Sequence, residues 1–157
     1  LDGELTPKLS LSAKVGVAFQ RVHTDLPTAD DREFAGLVAS ISARWDVLPR
    51  TQVTGSIRRG LDPSISSSYL ITDDAELGVA QKLFDEKVTA RAYVGYTHSH
   101  VSPGEDLNRL RAGASITYLI RQWLSVGADY QWERLNSAFP LDDYEAHTIT
   151  VSVGAGL

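Results

Sequence analysis

Between Leu107 and Glu133 the chain alternates apolar and polar side chains twice over, and the break between the two runs is too short for anything but a turn. Leu110, Ala112, Ala114, Ile116, Tyr118 and Ile120 fall on one parity, with Arg109, Arg111, Gly113, Ser115 and Thr117 between them. After Arg121 and Gln122 the pattern resumes with Leu124, Val126, Ala128, Tyr130 and Trp132 against Ser125, Gly127, Asp129, Gln131 and Glu133. Period two means strand, and two strands joined without a crossover run antiparallel. Each run is about ten residues, the length a tilted strand needs to cross a bilayer and longer than most soluble strands. Tyr118 and Trp123 flank the turn, Tyr130 and Trp132 lie at the far end, and small aliphatics fill the middle. Two aromatic belts around an apolar band predict the wall of a membrane-spanning β-barrel.

Composition fits that reading. The 157 residues suffice for a single β-barrel domain over 1–157, or for a segment of a larger barrel. No apolar window is long enough for a transmembrane helix, a test that barrel strands escape because only alternate residues meet lipid. Cysteine is absent, which excludes disulfides and thiolate metal sites and suits export through an oxidising compartment. Methionine is absent too, and LDGELTPK lacks signal-peptide architecture, so the sequence reads as a mature product or a trimmed segment. A net charge of -5 argues against nucleic acid as a partner.

The same alternation recurs along the whole chain. The first strand runs from Leu9 to Gln20, followed by a long polar loop from His23 to Glu33. The second carries Leu37, Ala39, Ile41, Ala43 and Trp45 into a tight turn at Leu48, Pro49 and Arg50. The third holds Val53, Gly55, Ile57 and Arg59, whose guanidinium can reach lipid headgroups, and a loop from Gly60 to Ser68 follows. The fourth runs from Tyr69 to Leu83, with Asp73 and Gln81 as exceptions on its apolar parity, and turns at Asp85, Glu86 and Lys87. The fifth covers Val88 to Thr97, the third long loop His98 to Asp106, and the hairpin above supplies strands six and seven. A loop from Arg134 to Asp143 leads to the last strand, ending at Leu157.

This tally predicts an all-β, up-and-down antiparallel transmembrane barrel with eight strands, short turns and long loops alternating. Outer-membrane barrels have that asymmetry, with short turns and both termini on the periplasmic side. Turn-then-strand segments beginning at Leu5, Val47, Phe84 and Ile120 repeat about every forty residues, one hairpin plus its loop.

The polar parity gathers Lys14, Arg44, Arg58, Asp74, Glu76, Arg91, Tyr93, Arg109, Arg111, Asp129 and Glu133 as lumen-facing candidates, with Lys82 and Asp46 beside them. Phe19, Trp45, Tyr69, Tyr96, Tyr118, Trp123, Tyr130 and Trp132 are the membrane-interface aromatics. A closed barrel of eight strands would be plugged by its own ionic side chains and serve as an anchor or scaffold, because a channel needs more strands. The soluble alternative is a lipocalin-like barrel with the same strand order but the apolar face inside, around a ligand.

No catalytic or metal site is expected, and no cofactor. His98, Ser99 and His100 invite a hydrolase reading, but neighbouring strand residues point to opposite faces. Two histidines without a third ligand make a weak metal site. The acidic pairs Asp30/Asp31, Glu105/Asp106 and Asp142/Asp143 lack calcium-loop spacing and read as solvated loop charge. Tyr93, alone among polar neighbours, either stacks a sugar ring or fills the interior.

The Trp45…Leu48-Pro49-Arg50-Thr51 turn, the YLIRQWL turn from Tyr118, the following V-x-A-x-Y-x-W-x-R and the closing D-Y-E-x-H-x-I-x-V-x-V resemble a large family of porin-like bacterial outer-membrane β-barrels. Members are often associated with exopolysaccharide export. The resemblance covers most of the chain and implies passage of polysaccharide or other solute through a non-enzymatic barrel. It implies as partners outer-membrane lipid and lipopolysaccharide, the barrel-assembly machinery and proteins of an export complex. Family barrels have about twice as many strands, so the chain looks like a C-terminal half or a shortened relative. Leu157 stands where a terminal aromatic is usual.

Overall fold

Strand-period alternation from end to end leaves one architecture open to this chain, a single sheet in which every strand pairs with its sequence neighbour. The computed structural model, which describes residues 2–22, 32–62, 70–101, 105–137 and 143–156, has that form. Its strands are β1 (Asp2–Thr6), β2 (Leu9–Val22), β3 (Arg32–Leu48), β4 (Thr51–Asp62), β5 (Leu70–Leu83), β6 (Val88–Val101), β7 (Glu105–Arg121), β8 (Leu124–Ser137) and β9 (Tyr144–Ala155). Their order in the sheet is β1 to β9 without a crossover.

All the predicted strands form, as β2–β9, and the predicted short turns fall at Pro49–Arg50, Phe84–Lys87 and Gln122–Trp123. The tally of eight is corrected to nine, because DGELT pairs with β2 through Asp2↔Ser12, Gly3↔Leu11 and Glu4↔Ser10. Leu5 is the single large apolar residue in that run, so β1 has no alternation to read.

The strands also run further toward the long loops than predicted. Gly60 to Asp62, His98 to Val101 and Arg134 to Ser137 are ladder, not loop. Ladder hydrogen bonds need no apolar side chain, so pairing continues past the point where both faces become polar and alternation vanishes. Residues 23–31, 63–69, 102–104 and 138–142 lie outside the described residues, and with them Tyr69, Asp30, Asp31 and Asp142.

Among the described residues no hydrophobic side chain is buried. The apolar parity is instead the open one, with Val15 78% and Phe19 81% exposed. The polar parity is crowded: Gly60, Gly95, Gly113, Gly127, Thr72 and Thr97 are buried there. The sheet therefore curls with its polar face on the concave side. In water each exposed Val, Leu or Ile would forfeit about 1.5–3 kcal/mol of burial, a loss that acyl chains on the convex side remove. The lipocalin-like alternative, which puts the apolar face inside, is overturned by this curvature. Among the described residues no ladder joins β1 to β9, so the sheet has two edges and is not the closed eight-stranded barrel of the anchor alternative.

The turn between β5 and β6 carries local strain. Phe84, Asp85 and Glu86 have φ of 50°, 53° and 68°, and the Lys87 amide donates to the Phe84 carbonyl at 3.1 Å. Left-handed backbone costs a non-glycine residue roughly 1–2 kcal/mol. Glu86→Gly is therefore expected to stabilise the protein by about 1 kcal/mol, read as a higher denaturant midpoint, since the exposed Lys82 pair it removes is worth less.

Candidate functional site

Register fixes what the concave face brings together. One row across β2–β9 reads Lys14, Ser40, Arg58, Asp74, Thr97, Arg109, Leu135 and Tyr144. The next, toward the short turns, reads Ser12, Ser42, Ser56, Glu76, Gly95, Arg111, Glu133 and Ala146. Below it come Ser10, Arg44, Thr54, Gly78, Tyr93, Gly113, Gln131 and Thr148. Asp46, Gln52, Ala80, Arg91, Ser115, Asp129 and Thr150 form the next row toward the short turns. Every predicted lumen residue lies in these rows.

Within them the charges are held by specific partners. Thr97 donates to Asp74 at 2.7 Å. Glu133 faces Arg109 Nε at 3.4 Å and accepts a hydrogen bond from the Tyr144 hydroxyl. Arg109 Nε makes no hydrogen bond, so its pairing with Glu133 is an ionic contact without alignment. Asp46 accepts from Gln52 at 2.8 Å and lies 3.8 Å from Arg44. Arg111 and Glu76 both reach over Gly95, each with a terminal atom 3.7 Å from the point a β-carbon would occupy. Arg111 Nε is buried without a hydrogen-bond acceptor. Tyr93 lies across Gly113, with Gly78 on its other flank. The absence of a side chain on Gly113 is what lets the ring lie along the wall.

The convex face carries the aromatics. Trp45, Tyr118 and Trp123 lie toward the short turns, Phe19, Tyr96 and Trp132 toward the loops, and Tyr130 midway along β8. Beyond the second belt the same parity turns polar. Arg59 pairs with Asp73 at 3.6 Å, and Asn108 takes both the Tyr96 hydroxyl at 2.6 Å and His98 Nδ1 at 2.9 Å. His100 meets Asp106 at 2.6 Å. Trp132 donates to Glu145 at 2.7 Å, Tyr130 meets His147 at 2.8 Å, and Arg134 donates to Asn136 at 3.2 Å. The sequence places Tyr96, Tyr130, Trp132 and Arg59 at this boundary, but not their partners: Asp73 breaks the alternation, and His98, His100, Asp106, Arg134 and Asn136 fall in the expected loops. The available signal was parity itself: Asp73, His98, Asn108 and Asn136 continue the apolar register across β5–β8. Amphipathic tips bonded to one another at the end of an apolar band suit the boundary between hydrocarbon and headgroups.

His98 and His100 therefore point outward, while Ser99 lies on the concave face between Thr72 and Leu107. No cluster of three ligating side chains occurs among the described residues. Of the acidic pairs, Asp143 accepts from the Ser137 amide at 2.7 Å.

An antiparallel sheet with its apolar side and aromatic belts on the convex face and its ionic side on the concave face is the wall of a porin-like outer-membrane β-barrel. Comparison with known proteins agrees. The model of the family described as Putative beta-barrel porin 2 matches residues 4–156, and the chain belongs to that family. Among solved structures the chain is similar to in-vitro folded OmpT, an outer membrane protein of Vibrio cholerae, at 16% identity and a TM-score of 0.54. The match covers 94% of this chain and 49% of that one, so the chain spans about half the length of this structural relative. No curated protein matches the sequence significantly.

Proposed function

We propose that this sheet forms about half the wall of a wide, water-filled barrel that passes solutes, polysaccharide among them, across the outer membrane without chemical change. One observation carries the reading: the middle rows of the concave face are mainly polar, and among the described residues no ladder closes the two edges of the sheet that bears it. An open edge in hydrocarbon costs several kcal/mol per unsatisfied backbone group, so further strands must pair with β1 and β9. Barrels of roughly 16–18 strands leave an aqueous channel, which a wall twice this width would enclose. The resemblance to export-associated porins supports polysaccharide as cargo.

The short turns face the periplasm in this reading and the collar meets lipopolysaccharide, whose headgroups match its hydrogen-bonding side chains. The barrel-assembly machinery inserts the protein, and proteins of an export complex dock on the periplasmic side. Catalysis has no place in it, since Ser99 and its histidine neighbours occupy opposite faces. The test is insertion of the purified protein into planar bilayers. Stepwise, ohmic conductance is expected, and a heat-modifiable protein that inserts without passing current would remove the channel and leave an anchor.

A further inference from the structure

We propose that Tyr93 is the stacking platform of a binding site for a neutral saccharide on the concave wall, an inference that rests on this face being a solute path. A ring whose role is to fill space is wedged between side chains. Tyr93 is not: its register neighbours on both sides are glycines, Gly78 and Gly113, and its hydroxyl end lies over the bare backbone of Gly113. The ring is half-buried, and among the described residues it pairs with no other ring and its hydroxyl makes no hydrogen bond. One side of it thus rests on the wall, and the other is left for whatever occupies the concave space.

Hydrogen-bonding groups surround this platform. Along its row the Thr54 hydroxyl leans over Gly78, 3.0 Å from the point a β-carbon would occupy, and Gln131 stands opposite Gly113 on the other flank. Asp129 follows on the same face of β8, toward the short turns. Among the described residues the side chains of Gln131 and Asp129 have no partner, and both are only half-buried. The charges nearby balance. Arg91 shares a row with Asp129 on the short-turn side, and on the loop side Arg111 and Glu76 reach over Gly95 while Glu133 is held by Arg109. The axial C–H groups of a pyranose are slightly positive and meet the electron-rich face of an aromatic ring, while its equatorial hydroxyls reach donors and acceptors at the rim. A charged ligand would gain little from balanced charges, and an open-chain polyol would leave the ring unused. A neutral pyranose uses both face and rim.

The test is calorimetric titration of the protein, folded in a detergent without a sugar headgroup, with cellotetraose and, separately, sorbitol. Cellotetraose is expected to bind about tenfold more tightly than sorbitol, which has the hydroxyls but no ring, and to change by less than about twofold when sodium chloride is added. Tyr93→Phe keeps the ring and should stay within about twofold of the unmodified protein, whereas Tyr93→Leu should lose about fivefold or more. Gln131→Ala should lose about threefold, one hydrogen bond. Equal affinity for cellotetraose and sorbitol, or no binding of either, overturns the site on the unmodified protein, whatever the variants do, and full affinity in Tyr93→Leu overturns it too. Cellotetraose binding without conductance would remove the passage reading alone, and conductance without discrimination between the two ligands would remove this inference alone.

Discussion

Leu77→Arg is expected to destabilise the membrane-embedded protein by about 2–4 kcal/mol, the cost of a cation on the lipid face near the midplane of a barrel. Leu77 sits in the middle of β5, opposite Gly55 and Val94 on the convex side, and is 56% exposed. In a protein surrounded by water the same change would relieve an exposed apolar side chain and cost almost nothing. Ser56→Arg is the control. Ser56 lies on the concave face directly opposite Glu76, so the new guanidinium gains a carboxylate and should shift stability by less than about 1 kcal/mol. Denaturant titration in lipid vesicles, followed by tryptophan fluorescence, reads both. Equal costs, or the larger cost at Ser56, would mean that the faces are assigned the wrong way round.

A second large effect is expected at Gly113. A β-carbon there would collide with Cε1 of Tyr93 and stand 2.7 Å from its Cζ and 2.8 Å from its hydroxyl oxygen, far inside contact distance. Gly113→Ala should cost about 1–3 kcal/mol through overpacking, although alanine restricts the unfolded chain more than glycine does. Once the ring is removed, that penalty should vanish. In a Tyr93→Ala background the same substitution is expected to be neutral or slightly stabilising, giving a coupling energy of about 1–3 kcal/mol between the two positions. Simple additivity of the two changes would show that the ring does not depend on the glycine.

What was legible in the sequence follows from the spacing of side chains along a strand. Alternation from Leu9 to Ala155 determined the strand order, the antiparallel pairing, the short turns at Pro49–Arg50 and Gln122–Trp123, and which residues share a face. Hence Lys14, Arg58, Asp74 and Arg109 were on one face before their common row was known. Where both parities are polar the pattern carries no information, which hid the collar members Asp73, His98 and Asn108 and the outer ends of β4, β6 and β8. It hid β1 as well, because five residues with one large apolar side chain have no period.

Tertiary structure decided what periodicity leaves symmetric. Two faces of a strand are interchangeable in sequence until curvature makes one concave, and only the curl of the sheet put the ionic rows inside and Val15 and Leu77 outside. Neighbourhood between distant segments is likewise a matter of register. Lys8, Arg50 and Arg91 come from three separate parts of the chain and meet at one mouth because strand pairing and twist bring their ends together.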